Sequence, residues 1–138
     1  MNAYDIAYES LLRSTRQGYH RRIVEVLAEG FPEMAETQPE LLAHHYSRSG
    51  NTEKAVEYLQ LAGQQASQRS ANKEAVSHFT TALELLESLP DTPERAQQEL
   101  TLQVGLAVPL SAAGFMSPEV NKVYSRAREL CRQVGETP

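Results

Sequence analysis

The sequence feature that most constrains this chain is a pattern of small and large residues that occurs twice with the same internal spacings. The first copy is Ala43, Tyr46, Ala55, Leu59 and Ala62, and the second is Gly63, Ala66, Ala75, Phe79 and Ala82. Small residues let two helices cross closely, and larger residues fill the space beside the crossing. Repeated helix pairs of this kind are typical of solenoids. The pattern therefore predicts an all-α, right-handed helical-repeat solenoid.

Apolar periodicity and helix-start signals predict six helices, which begin near Tyr4, Pro39, Thr52, Asn72, Thr92 and Ser117. Gly30-Phe31-Pro32 should end the first helix and Gly50 the second. The predicted core face of the first helix consists of Tyr8, Leu12, Tyr19, Ile23 and Leu27. The predicted core of the fifth helix includes Leu100, Leu102, Val104 and Val108, and Pro109 should bend or end this helix.

The third and fourth helices start alike, as Thr52-Glu53-Lys54-Ala55-Val56 and Asn72-Lys73-Glu74-Ala75-Val76. This match predicts Thr52 and Asn72 as capping residues. A weaker third copy begins at Ser117-Pro118-Glu119 and continues with Val120, Tyr124 and Ala127. The third helix serves both of the strong copies, as expected of a continuous stack in which each helix packs on its neighbours.

We therefore expect one helical-repeat domain over residues 1–138. It comprises a linking helix at 1–30, the best repeat pairs at 37–90 and a longer, weaker helix pair at 92–134. Thr137-Pro138 repeats the cap-plus-proline signal of Thr92-Pro93, so the chain is expected to be a fragment of a longer protein. The last helix keeps an apolar stripe, whereas a terminal solenoid helix is usually polar. This open end predicts a homo-oligomer.

Composition narrows the function classes. Thirteen basic and eighteen acidic residues give a net charge of −5, which argues against a general nucleic-acid binder. The single Cys131 excludes an internal disulfide, and its place on the apolar stripe of the last helix predicts a buried residue. No membrane span or signal peptide is recognisable. We expect a cytoplasmic protein that is not an enzyme and that has no cofactor or metal.

The first repeat copy resembles the tetratricopeptide repeat. In that family, a small residue and an aromatic residue on one helix face alanine, a large apolar residue and alanine on the next helix. Ala43, Tyr46, Ala55, Leu59 and Ala62 match these five places. The chain has no tryptophan for the early aromatic position, and Ser67 stands where the usual closing proline would be.

A broader resemblance involves residues 7–16, 19–23, 39–46, 89–96 and 127–131. These stretches look like the helical tail that follows the ATPase module in large bacterial signalling proteins, among them adenylate or guanylate cyclases and kinases. None of the phosphate-binding or cyclase residues of those proteins occurs here. The resemblance implies a role in sensing, in scaffolding or in restraining catalytic domains, with a protein, a peptide or neighbouring domains as partner.

The repeat register predicts a polar groove that could bind an extended peptide, although a solvated face is an equal alternative. Its residues are Thr37, Glu40, His44, Ser47 and Arg48 on one side and Glu57, Gln60, Gln64, Ser67 and Gln68 on the other. A basic face on the first helix, formed by Arg13, Arg16, His20, Arg21 and Arg22, is the alternative and would contact nucleic acid.

A third hypothesis is a small metal-dependent enzyme that uses His44 or His45. Adjacent helical residues point about 100° apart, so these two histidines are not expected to bind one ion together. Glu40 lies one turn before His44 and could form half of a site, but no third ligand is evident nearby in sequence. A packed His45 and a groove-facing His44 are the favoured interpretation.

Overall fold

The computed structural model describes residues 2–112, 114 and 117–135, apart from the side chains of Tyr8 and Ser117. Its described part is all-helical and contains no strand. The helices are α1 (Ala3–Gly30), α2 (Pro32–Thr37), α3 (Pro39–Arg48), α4 (Thr52–Gln68), α5 (Asn72–Leu86), α6 (Pro93–Ala112) and α7 (Ser117–Gly135). Among these helices, none is both long and apolar enough to cross a membrane.

The six predicted helix starts are confirmed, and α2 is an additional helix. Proline occupies the first helical position of α2 and α3, where its missing N–H needs no partner. The capping predictions were partly wrong. Thr92 caps α6 by accepting the backbone N–H of Arg95 at 3.1 Å, as predicted. Asn51 rather than Thr52 accepts the Lys54 N–H, and α5 follows Ala71 without a side-chain cap.

The chain folds as two compact units, Met1–Tyr58 and Leu59–Pro138, with the division inside α4. In the first unit, α1 packs on α2 and α3. Leu42, Ala43, Ala55 and Val56 are buried there, and Tyr46 is half-buried with its ring stacked on Tyr58. In the second unit, α5 packs on α6, and α6 packs on α7.

The small residues of the repeat pattern lie in the core. Ala55, Ala62, Ala75 and Ala82 are at most 3% exposed, which confirms their predicted burial. In the second unit, the buried ring of Phe79 lies against two helix backbones. A Cβ added at Gly63 of α4 would lie 2.9 Å from this ring, and one added at Gly105 of α6 would lie 2.8 Å from it. Glycine is therefore required at both positions, because the Phe79 ring lies too close to each backbone to leave room for a side chain.

The predicted core face of α1 was wrong. Leu12, Tyr19 and Ile23 are exposed and Leu27 is half-buried, while Val24 is the buried one among the described side chains of this helix. Apolar periodicity marks the face of a helix that can be covered, but it does not show that the same chain covers it. Tyr8, the remaining residue of this face, lies outside the described side chains.

The end of α6 also departs from expectation. Pro109 neither ends the helix nor faces water, since α6 continues to Ala112 with Pro109 and Leu110 buried. Only the last turn follows this proline, so a single backbone hydrogen bond, to the Gly105 carbonyl, is lost within the helix. Val104 and Val108 are exposed instead of buried.

In α7 the third repeat copy is confirmed at Ala127 but not at Tyr124. Tyr124 is exposed and Val123 is buried, together with Ala127 and Leu130. Cys131 is exposed, so its predicted burial was wrong, because the buried side of α7 turns toward Ala127 and Leu130. Thr137-Pro138 and positions 113, 115 and 116 of the predicted loop lie outside the described residues.

Candidate functional site

Three of the four histidines converge within the first unit. His20 is in the second half of α1, and His44 and His45 are consecutive residues of α3. One ring nitrogen of each histidine lies within 4.8 Å of the corresponding nitrogens of the other two. We call these residues the histidine cluster.

Direct contacts hold the cluster together. The Nδ1 atoms of His20 and His45 are 2.7 Å apart, a hydrogen bond in which one ring N–H donates to the lone pair of the other ring. The ring centroid of His44 lies 5.7 Å from that of His20 and 5.2 Å from that of His45. His20 and His45 are half-buried, and His44 is exposed.

Burial lowers the pKa of His45, and the neighbouring rings of His20 and His44 lower it further. Each effect disfavours a positive charge on this imidazole, because a charged ring would lose hydration and would repel a second charged ring. Both effects favour the neutral imidazole of His45, in which one ring nitrogen carries a lone pair.

The rings of His44 and His45 lie close together although the two residues are adjacent on α3. Their Cα–Cβ bonds diverge by about 100°, but each side chain has two rotatable bonds that can turn the ring back. His20, reaching from α1, packs against both rings. Sequence reasoning missed His20 as a third member because it precedes His45 by 25 residues, and only the packing of α1 on α3 joins them.

The predicted groove residues have the accessibility that a binding strip needs. Glu40, His44, Ser47 and Arg48 of α3 are exposed, and so are Thr37, Glu57, Gln64 and Gln68, while Gln60 and Ser67 are half-buried. Residues 37–57 of this set belong to the first unit and residues 60–68 to the second. The Thr37 hydroxyl donates to the Glu33 carbonyl within α2.

The residues of the predicted basic face are on α1. Arg13, Arg16, Arg21 and Arg22 are exposed, whereas His20 is turned into the histidine cluster. Four acidic residues of the same helix, Asp5, Glu9, Glu25 and Glu29, balance the four arginines. Among the described residues, no ion pair joins these arginines to Glu9 or Glu25 of the same helix.

Several exposed apolar residues also lie on α1. Tyr4, Leu11, Leu12, Tyr19, Ile23 and Val26 are all exposed. At 100° per residue these six side chains lie within about 120° of the helix circumference. We call them the α1 apolar stripe. Leu11 is 67% exposed and Tyr19 is 63% exposed, so the stripe is uncovered and not merely at the edge of the core.

Comparison with known proteins adds one relative. The chain is 28% identical over 127 residues to the uncharacterized protein R02095 of Rhizobium meliloti (strain 1021). The match covers 91% of this chain and only 12% of that protein, so the chain spans about an eighth of the relative's length. No protein-family model matches the chain. No solved structure matches it either.

Proposed function

We propose that this chain is a non-catalytic protein-interaction segment that scaffolds or regulates the domains of a bacterial cytoplasmic signal-transduction protein. The observation that carries the proposal is the α1 apolar stripe. Contiguous apolar surface on a helix is costly in water and marks a site of contact with another protein surface. The partner is a neighbouring domain or a separate protein that covers this stripe.

The length of the R02095 relative supports this assignment. A segment that matches 12% of a long protein has ample further chain in such a protein to pack against it. The stripe is also better suited to a protein than to nucleic acid, because the arginines of α1 are matched by an equal number of carboxylates. Nucleic-acid binding would require a clear basic excess.

The finer architecture that we propose is a right-handed, tetratricopeptide-like solenoid. Two observations within the second unit support it. Gly63, Ala66, Ala75, Phe79 and Ala82 are buried as the repeat register requires. In addition, Phe79 of α5 contacts both Gly63 of α4 and Gly105 of α6, as expected when each helix packs on the one before and the one after.

An extended groove would be a second contact surface of the same interaction segment. The exposed α3 residues Glu40, His44, Ser47 and Arg48 offer hydrogen-bonding and charged side chains to a peptide. Homo-oligomerisation through α7 remains a prediction, although Val123, Ala127 and Leu130 of its apolar face are already buried. The α1 apolar stripe offers more uncovered apolar surface than α7 does.

Hydrogen–deuterium exchange tests the interaction proposal. The isolated chain is compared with the complete product of the gene that encodes it, and peptides covering Ala3–Gly30 are followed in both. We expect slower exchange of α1 in the complete product, because a covering domain protects the helix from opening. Peptides from α5, whose apolar residues Phe79, Ala82 and Leu86 are already buried, serve as the internal control.

Two results would count against the proposal. One is equal exchange of α1 in both proteins, combined with a monomeric isolated chain in analytical ultracentrifugation, since the stripe would then have neither an internal nor an external partner. The other is turnover of a substrate by the isolated chain, which would contradict a non-catalytic role.

A further inference from the structure

The histidine cluster has the composition of a transition-metal site. Neutral imidazole is a preferred ligand of Zn²⁺ and of neighbouring divalent ions, and three histidines suffice when water or another group completes the coordination. Here the three rings come from two helices and present nitrogens that all lie within 4.8 Å of one another.

The spacing fits binding after small side-chain rotations. Tetrahedral Zn²⁺ with Zn–N bonds of about 2.05 Å places two ligand nitrogens about 3.3 Å apart. The nitrogens of the cluster span separations from the 2.7 Å hydrogen bond between His20 and His45 up to 4.8 Å. The required separation of about 3.3 Å falls inside this range. Rotation of the three side chains can therefore bring the nitrogens to this separation without a movement of α1 or α3.

We propose that His20, His44 and His45 bind one divalent transition-metal ion of the Zn²⁺ class, which links α1 to α3. The fourth position is open to water or to a side chain of a partner. The exposed ring of His44 gives the ion access from solvent, and the half-buried rings of His20 and His45 hold it against the two helices.

Metal binding then controls how firmly α1 is held. Apart from Val24 and the half-buried His20 and Leu27, the described side chains of α1 are exposed, so its attachment within the first unit has few buried contacts. An ion that binds the assembled cluster but not the separated helices stabilises the assembled form by mass action. The helix that carries the apolar stripe is thus fixed in place when metal is present.

The test is a titration of the full chain with Zn²⁺ alone after chelator treatment, followed by calorimetry near neutral pH. We expect one ion per chain and a higher melting temperature with Zn²⁺. His44→Ala and His20→Gln should each weaken binding at least about tenfold, because even groups that only orient a ligand contribute 10–100-fold. His78→Ala is the matched control, since His78 is on α5 outside the cluster and should leave binding unchanged.

Circular dichroism establishes that each variant is folded. If His20→Gln is destabilised, His44→Ala decides the test, because His44 is exposed and its substitution should leave the fold intact. Zn²⁺ affinity that is equal in wild type, His44→Ala and His20→Gln would overturn the proposal, because the ion would then bind surface carboxylates. Displacement of Zn²⁺ by excess Mg²⁺ would also overturn it, since Mg²⁺ prefers oxygen ligands. Absence of Zn²⁺ binding to the wild-type chain would do the same.

Discussion

At the scale of single residues, the ring of Phe79 limits what its neighbours can be. Gly63 and Gly105 lie on two different helices, and both leave room for this ring only because they lack a Cβ. Phe79 is 1% exposed, so it has no free space into which it could move away from an added methyl group. Gly63 belongs to the repeat pattern and was expected in the core. Gly105 belongs to no repeat copy, and no sequence signal distinguished it.

Gly63→Ala and Gly105→Ala should each destabilise the protein. The added methyl overpacks the core, which typically destabilises a protein by about 1–3 kcal/mol. The higher helix propensity of alanine offsets less than about 1 kcal/mol of this loss. Urea denaturation measures the change in the free energy of unfolding. Combining Gly63→Ala with Phe79→Leu should recover part of the loss, because the smaller side chain relieves the overlap.

Gly18→Ala is the matched control for these glycines. Gly18 is within α1, and a Cβ there would meet nothing within 4 Å. Only the higher helix propensity of alanine then acts, so we expect a free energy of unfolding that is unchanged or higher by up to about 1 kcal/mol. If Gly63→Ala and Gly105→Ala behaved like Gly18→Ala, the packing described around Phe79 would be wrong.

At the scale of helices, the starts of α5 and α6 differ although their sequence signals look alike. Thr92 accepts the Arg95 N–H at the start of α6, whereas Asn72 is already inside α5. Thr92→Ala should therefore cost about 1 kcal/mol. Asn72→Ala should stay within about 0.5 kcal/mol. Thermal unfolding of both variants checks this contrast, and a larger loss for Asn72→Ala would restore the capping role expected from sequence.

Helices α6 and α7 are joined by an ion pair of good geometry. The Arg126 side chain donates from Nε to Glu99 Oε2 at 2.6 Å and from Nη2 to Glu99 Oε1 at 2.8 Å. The hydrogen bonds from Arg126 lower the pKa of Glu99, against the opposing effect of burial. Only 15% of the Glu99 side chain is exposed, so water screens this pair less than a surface pair.

This ion pair should make stability depend on pH in a defined direction. The pKa of Glu99 lies below 4.5 in the folded protein, so the unfolded chain takes up the proton first as pH falls below 4.5. The stabilisation is therefore complete above pH 4.5 and is lost as pH drops through the folded pKa. We expect Glu99→Gln to lose roughly 1 kcal/mol at neutral pH, with the difference from wild type shrinking in acid.

Denaturant titrations at several pH values measure this difference, and the exposed pair Arg69–Glu74 provides the comparison. Both of its side chains are about 60% exposed, so Arg69→Gln should change stability little at any pH. A difference between wild type and Glu99→Gln that stayed constant down to strongly acidic pH would show that Glu99 contributes packing and not charge.

Sequence reasoning works better for elements than for their contacts. Helix starts were predictable because proline, glycine and polar residues act locally on the backbone. The burial of Ala55, Ala62, Ala75 and Ala82 was predictable because these alanines recur with the same spacing in both copies of the repeat pattern. The exposure of Tyr124 in α7 was not, because the third copy is weak and carries Val120 where the strong copies have alanine. Sequence alone did not decide whether Pro109 would bend or end α6, and the helix continues to Ala112.

At the scale of the whole molecule, the histidine cluster and the α1 apolar stripe both depend on α1. The histidine cluster requires α1 to pack on α3, and its members were not recognisable as a set because His20 is distant in sequence. Three members of the α1 apolar stripe, Leu12, Tyr19 and Ile23, were recognisable as part of a periodic pattern, but their exposure was not. Periodicity indicates burial against some surface, and the part of this chain that the structure describes leaves the stripe exposed.

The α1 apolar stripe should therefore respond to mutation as an interface and not as a core. Leu11→Glu combined with Tyr19→Glu should leave the free energy of unfolding of the isolated chain within about 1 kcal/mol, since exposed positions contribute little to folding. The same pair should abolish the slower exchange of α1 expected in the complete gene product. Val24→Asp should instead unfold the first unit, because it buries an unpaired carboxylate at a position that is 3% exposed.

Thr80→Glu combined with Thr81→Glu is the matched control, because both threonines are exposed on α5 and the same charge is added. This control should alter neither stability nor the exchange of α1. If Leu11→Glu with Tyr19→Glu destabilised the isolated chain as strongly as Val24→Asp, the stripe would already be covered within this chain, and the interaction proposal would lose its main support.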